Sequence, residues 1–234
     1  MPGSSGIPIV ITREDLLELA VRMGNPNTYS KTGQIVWQDN FSKGLSAFTP
    51  GPPTLTDVHW STAFSIGSGF SSMLDVTVTG AGCSLYRDDP PIILNPSAGI
   101  CAWESTFLWD SINTQYGMYI SSFSNNLETI ISLYIRPTTV NLLVNGVLTS
   151  LLPVPSLRTF GWHNVKLFAN FAKKRYVLLT LDNVEYPISQ YALTGYQIAG
   201  TDEYIRTTFE ALPIAAGGAG RIYVGSAIMT IKEE

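Results

Sequence analysis

From Gln34 to its end the chain alternates apolar and polar residues with a period of two, and no other feature constrains its fold as strongly. A period of two turns successive side chains to opposite faces of a strand, so such a segment can bury one face and wet the other. Val165, Leu167, Ala169 and Phe171 point one way while Asn164, Lys166 and Asn170 point the other. Leu127, Ile131, Leu133 and Ile135 likewise oppose Glu128, Ser132 and Arg136. Each set predicts an antiparallel strand with one wet side. Strands are expected at 34–38, 57–66, 72–79, 98–109, 115–123, 127–136, 139–144, 147–152, 162–170, 175–181, 184–188, 203–211 and 220–231. Gly, Pro, Asn and Asp clusters separate them, among them Pro50-Gly51-Pro52-Pro53 and Asp88-Asp89-Pro90-Pro91. Asn145-Gly146 and Asp182-Asn183 stand where tight hairpin turns need positive φ at both central residues. No unit of 20–50 residues repeats, which argues against a propeller or solenoid.

The first 33 residues read differently. Thr12 is an N-cap with an acidic partner, Asp15, three positions on, and Ile11 and Leu16 stand where a hydrophobic staple packs. Glu14 and Asp15 suit the positive end of a helix dipole and Arg22 the negative end. Gly24 is a ready C-terminal cap and Pro26 prevents continuation. This predicts a helix over 13–23. Its apolar residues, led by Leu16, Leu17, Ala20 and Met23, cover more than a narrow stripe and should pack on the sandwich or on another chain. The expected organisation is an arm, helix and linker over 1–33 and an all-β, two-sheet antiparallel sandwich over 34–234, a length such folds reach as one domain.

Only 14% of the residues are charged, against about 25% in ordinary soluble domains. With a net charge of −4 and a single tight basic cluster, Lys173-Lys174-Arg175, the chain offers a nucleic acid little to hold. No run is apolar for long enough to span a membrane as a helix. The N-terminal residues lack the basic and apolar regions of a secretory signal, so localisation stays open, with assembly in the cytoplasm into an extracellular particle as the expectation. Cys83 and Cys101 are expected to be buried thiols.

Asp39-Asn40-Phe41-Ser42-Lys43-Gly44-Leu45 resembles the opening strand and turn common in concanavalin A-like lectin and glucanase jelly rolls. Trp162-His163-Asn164-Val165-Lys166-Leu167, followed by Tyr176 to Leu181 and then Asp182-Asn183-Val184, is similar to hairpins of laminin-G-like modules in that superfamily. The resemblance implies a jelly roll. It implies no single function, because the superfamily includes glycan-binding lectins, glycosidases, polysaccharide lyases, adhesion modules and viral or phage surface proteins.

Catalytic chemistry is hard to find in these residues. Glycosidases need two carboxylates about 5–9.5 Å apart, whereas Glu104 and Asp110 lie six residues apart on one strand, about 20 Å along a regular one. Asp88 and Asp89 lack the interleaved oxygen ligands of a calcium loop. His59 and His163 have neither a second His nor a Cys nearby for zinc. Ser65-Ile66-Gly67-Ser68-Gly69 has glycines but no strand-to-helix elbow for a nucleophile, and the Gly217-Gly218-Ala219-Gly220 stretch reads as a loop. Trp37, Trp60, Trp103, Trp109 and Trp162 alternate with apolar neighbours and read mainly as core. No catalytic residue, metal ligand or cofactor is assigned. Trp60, Tyr86, Asp88, Asp89 and Tyr119 are the candidate ligand contacts.

The expectation is a non-catalytic binding or structural module, exposed on a larger phage- or virus-like assembly. Its partners would be other chains of that assembly, copies of itself, and a glycan, but neither nucleic acid nor a membrane span. A free-standing glycan-binding lectin is the alternative, and a polysaccharide-active enzyme comes third. For the helix, replacing Thr12 with Ala should speed hydrogen exchange at Glu14 and Asp15 about fivefold, the effect of losing a cap contributing about 1 kcal/mol. Unchanged exchange there would remove the capping assignment.

Overall fold

The structure, a computed structural model, describes residues 34–41, 44–51, 58–63, 71–76, 82–90, 99–124, 126–151, 157–200, 203–215 and 218–233. The helix expected over 13–23, with Leu16, Leu17, Ala20 and Met23, lies outside them. Sixteen strands follow in chain order: β1 (Gln34–Asp39), β2 (Thr49–Pro50), β3 (Val58–Ser61), β4 (Ser71–Val76), β5 (Cys83–Asp89), β6 (Ile100–Trp109), β7 (Thr114–Ser124) and β8 (Leu127–Ile135), then β9 (Val140–Val144), β10 (Val147–Leu151), β11 (His163–Asn170), β12 (Arg175–Leu181), β13 (Val184–Pro187), β14 (Thr194–Gln197), β15 (Tyr204–Pro213) and β16 (Gly220–Glu233). Among the described residues no helix is long and apolar enough to cross a membrane.

The strands form two eight-stranded antiparallel sheets. The first runs β13-β12-β11-β6-β16-β4-β3, with β1 also on β16; the second runs β10-β9-β8-β7-β15-β5-β2, with β14 also on β8. β16 is the long spine of the first sheet. Its residues 220–224 pair with β4 and its residues 227–231 with β1, while β6 lies on its other edge. A bulge between Val224 and Ser226 lets one strand serve both neighbours by bending at the break.

Between the sheets lies the core, built from the alternation seen in the sequence. Trp103, Phe107 and Trp109 share one parity of β6 and are fully buried, as are Tyr116 and Met118 of β7 and Phe209 of β15. Phe107 stacks on Tyr116 across the layer, with ring centroids 4.2 Å apart. Cys83 and Cys101 are buried thiols in the same layer. Fully burying side chains of this size contributes roughly 1.5–3 kcal/mol each, so packing of the two inner faces is the main favourable contribution to the fold.

Two tyrosines cross that layer in opposite directions. The Tyr116 hydroxyl of the second sheet lies 2.6 Å from the Ser105 Oγ of the first. Tyr176, on β12 of the first sheet, reaches the place where β8 parts from its neighbours. β8 pairs with β14 through Leu127–Ile130 and with β9 through Leu133–Ile135, so its backbone changes partner around Ser132. There the Ser132 N–H donates to the Tyr176 hydroxyl over 3.1 Å, and that hydroxyl donates to the Leu143 carbonyl over 3.0 Å. Burial raises the pKa of both tyrosines, so each keeps its proton and its role as donor.

One sequence expectation needs correcting. Lys166 and Ser132 occupy the predicted wet parity of β11 and β8, yet both are buried. Lys166 pairs at 2.7 Å with Glu104, itself buried, and its ammonium sits 4.7 Å from the Phe168 ring centre. Alternation marks which side of a strand a residue takes, but it cannot tell whether that side is covered. Ser132 lies on the outer face, opposite Tyr119 on β7 and beside Tyr134 two residues along β8.

Replacing Tyr176 with Phe keeps the ring and removes the pin. It should lower stability by about 1–3 kcal/mol in urea unfolding, the cost of leaving a buried N–H unpaired. A change below about 0.5 kcal/mol would contradict the role given to this hydroxyl.

Candidate functional site

The outer face of the second sheet is an ordered field of polar and aromatic side chains, laid out by the register of β5, β15, β7, β8 and β14. One row reads Tyr204, Phe123, Glu128, Tyr196; the next Asp88, Arg206, Ser121, Ile130; the third Tyr86, Thr208, Tyr119, Ser132; the fourth Ser84, Glu210, Gly117, Tyr134. These residues alternate along each strand with Leu85, Met118, Ile120 and Phe209 of the core, so the face exists because the opposite parity is buried.

Arg206 organises one end of the face. Its guanidinium donates through Nε and Nη2 to both carboxylate oxygens of Asp88, at 2.7 and 2.8 Å. It also lies over the Tyr86 ring at 4.3 Å and near the Tyr204 ring at 5.5 Å. Tyr204 stacks in turn on Phe123, centroids 4.3 Å apart. The hydrogen bonds to Asp88 raise the Arg206 pKa further above its already high value, and their two charges cancel. The result is a set of planar groups held by one another, with no net charge from the central pair.

Toward β8 the face is made of tyrosines and carboxylates. Glu128 accepts from the Ser121 hydroxyl at 2.6 Å and from the Tyr119 hydroxyl at 3.3 Å. Burial raises the Tyr119 pKa, and the neighbouring Glu128 charge adds to it. In the fourth row Gly117 lets Glu210 and Tyr134 meet over β7. A Cβ there would lie 3.1 Å from the Tyr134 ring and from Glu210 Cβ. Burial raises the Glu210 pKa, opposed by its hydrogen bond with Tyr134.

Of the residues singled out in the sequence, the structure brings three together here: Tyr86 and Asp88 on β5 and Tyr119 on β7. Asp89 takes the opposite parity, is buried, and accepts from Arg87 at 2.8 Å, while Arg87 itself lies over the Trp37 ring at 5.1 Å. Asp88 and Asp89 therefore close a strand, not a solvated turn. Trp60 belongs to β3 of the first sheet, where its backbone is paired with Ser72. Sequence reasoning missed Arg206, Tyr204, Phe123, Thr208 and Ser121. The alternation of 203–211 could have turned Tyr204, Arg206 and Thr208 outward, but only the long-range pairing of β15 between β5 and β7 brings them to Tyr86 and Tyr119.

This face does not assemble a hydrolytic pair. Glu128 and Glu210 are three rows apart, about 20 Å along the strands, and Asp88 and Glu128 are three strands apart, about 14 Å. Neither spacing matches the 5–9.5 Å that glycoside hydrolysis needs. Elsewhere Glu104 is committed to Lys166, and an Asp110 oxygen accepts from the Arg221 N–H at 2.6 Å. Among the described residues no three His, Cys, Asp or Glu side chains gather to hold a metal ion.

His163 sits beneath a pocket of about 310 Å³ lined by Leu157, Arg158, Leu181, Asp182, Val184 and Tyr186. Its Nδ1 lies 2.6 Å from Asp182 Oδ2 and its Nε2 lies 2.8 Å from the Arg158 carbonyl. Both partners are acceptors, an arrangement that the doubly protonated ring satisfies at both nitrogens and that therefore favours the imidazolium. Burial opposes that charge, but the Asp182 hydrogen bond, the Arg158 carbonyl and the Asp182 charge outweigh it, and the pKa is raised. With both nitrogens engaged, His163 is neither a general base nor a metal ligand. It ties the 157–162 loop to the β12–β13 turn.

No protein-family model matches the sequence, and no curated protein matches it. The fold is that of the concanavalin A-like lectin and glucanase jelly roll. A carbohydrate esterase from the Shiga toxin-encoding bacteriophage phi24B superposes with a TM-score of 0.56 at 11% identity, over 86% of this chain and 100% of that one. The CBM2 module of the evolved Dit of Lactobacillus casei BL23 phage J-1 superposes with a TM-score of 0.51 at 9% identity, over 88% and 99%. Peanut lectin gives 0.53 at 12% identity, over 83% and 96%. At such identities the likeness is one of fold.

A raised His163 pKa makes stability depend on pH. The imidazolium's contribution is fully present below about pH 6.5, the unfolded value, and is lost as pH rises through the higher folded value. Urea unfolding from acid to mildly alkaline pH should therefore show wild type losing stability relative to His163→Gln as pH rises. A stability difference independent of pH would show that the ring is neutral.

Proposed function

We propose that this chain is a non-catalytic binding module of a larger, phage- or virus-like assembly, and that the outer face of its second sheet holds a carbohydrate. The observation that carries the reading is the Arg206 cluster: Tyr86, Asp88, Arg206, Tyr204 and Phe123 are locked by mutual contacts before any ligand arrives. Side chains already ordered lose little freedom on binding, which is the usual cost of holding a flexible polar ligand. Aromatic rings receive the C–H faces of a sugar, while the carboxylates of Asp88 and Glu128 offer acceptors to its hydroxyls. The neutralised central pair favours an uncharged chain over an anionic one.

The carboxylate spacing supports binding without hydrolysis, and the fold's company in phage carbohydrate proteins supports an assembly-borne module. In this reading residues 1–33 attach the 34–234 body to its assembly. A free-standing lectin would use the same face and would bind its sugar equally well without residues 1–24.

The test is a glycan array of bacterial and plant polysaccharides, followed by calorimetry with the best oligosaccharide. Arg206→Ala and Phe123→Ala should each weaken binding tenfold or more, about 1.4 kcal/mol, and no new reducing ends should accumulate. Retention of no glycan, full affinity in both variants, or turnover of the sugar would each overturn the proposal.

A further inference from the structure

The second sheet ends in an unprotected edge, and we infer that β10 pairs antiparallel with β10 of a second copy of this chain, joining the two second sheets across a twofold axis. Sheet edges in monomers are normally blunted by charge, proline or a cover. β10, Val147-Leu148-Thr149-Ser150-Leu151, has neither charge nor proline, and no charged residue occurs from Val140 to Leu151. Val147 and Leu148 remain 65% and 53% exposed, and no described residue covers them. Tyr196, 42% exposed, lies beside them, its hydroxyl 3.3 Å from where a Cβ on Gly146 would project. These three are half of the exposed large hydrophobic residues described, gathered at one edge.

Val147 shows what the edge lacks. It shares the parity of Leu151 and faces the side on which its partner Val144 and the alternate β9 residues Leu142 and Val140 pack into the core. An inward-directed valine left this open is one that a neighbouring strand would cover. The edge is also held in place. The Gly146 N–H donates to Thr194 Oγ1 at 3.1 Å, and that hydroxyl reaches the Leu143 carbonyl at 3.3 Å, so β14 fixes the hairpin that presents β10.

The strand is complementary to itself. Val144 and Val147 close the two-residue turn as a hydrogen-bonded pair, and alternation down the ladder leaves the N–H and C=O of Leu148 and Ser150 directed away from β9. A twofold axis at Thr149 sets Leu148 against the second copy's Ser150, so both outward pairs of backbone groups are satisfied at once. Thr149 then faces its own copy in the close, non-hydrogen-bonded position, a favourable cross-strand pair, and Val147 meets the second copy's Leu151. No like charges oppose one another. The contact is small for a stable dimer, so association is expected only in the micromolar to millimolar range. The Arg206 face stays clear of it, so a dimer would present two ligand faces side by side.

Sedimentation velocity on the full chain up to about 0.5 mM, the range such an interface needs, should show a reversible shift from one chain to two. Ser150→Pro removes an outward N–H that β9 does not use and should abolish the shift while leaving low-concentration melting unchanged. Thr149→Cys should oxidise to a covalent dimer, because the facing Cα atoms would lie about 4.5 Å apart, within disulfide reach. Val184→Cys on β13, the edge of the other sheet, should not. Wild type that stays monomeric to that concentration overturns the inference, whether or not a strand from another protein can occupy β10. So does a dimer that survives Ser150→Pro. If Ser150→Pro fails to fold, failure of Thr149→Cys to cross-link overturns it equally.

Discussion

Two buried tyrosine hydroxyls, one rising from each sheet, decide which backbone segments of this sandwich lie opposite one another. Apolar packing between sheets is strong but tolerant of sliding, since one leucine satisfies another's surface nearly as well as its neighbour does. A hydroxyl in that layer has no such tolerance, because missing its partner leaves buried polar groups unpaired. Tyr116 finds Ser105 and Tyr176 finds the backbone of Ser132 and Leu143, so the layer has one low-energy alignment. Tyr176 does more than align, because it occupies the point where β8 passes from β14 to β9 and completes the hydrogen bonding there.

The layout of the outer face of the second sheet follows from the register of its own strands. Once β8, β7, β15 and β5 are in register, Arg206 has no choice but to lie between Asp88, Tyr86 and Tyr204. Glu128 falls beside Ser121 and Tyr119 by the same logic. The face is rigid because each of its groups is another's partner. Its carboxylates stand strands or rows apart, already engaged by hydroxyls or a guanidinium.

Much of the fold was legible because alternation and turn chemistry are local. Asn145 and Gly146 adopt φ of 50° and 79°, and Asp182 and Asn183 adopt 48° and 67°, as their hairpins require. Val165, Leu167 and Ala169 are fully buried, in keeping with the parity of β11. β5 escaped notice because only Cys83 and Leu85 alternate before Arg87, Asp88 and Asp89 break the pattern. It is a strand because β15 pairs with it from Ile205 to Ala211, a contact over a hundred residues away in the chain. β14, four residues long with a glycine inside, gives no local signal at all. The site was legible in the same uneven way: Tyr86, Asp88 and Tyr119 were picked out for their chemistry, while Arg206, the group that orders them, could be found only once the strands were paired.

The most direct measurement of the central claim is a crystal structure of the protein with an oligosaccharide it retains. The account predicts density over β5, β15, β7 and β8, with a sugar ring against Tyr204, Phe123 or Tyr86, the Arg206–Asp88 pair intact, and the glycosidic bonds unbroken. Density on the first sheet or at the loop ends of the sandwich, or a cleaved product on any face, would contradict it.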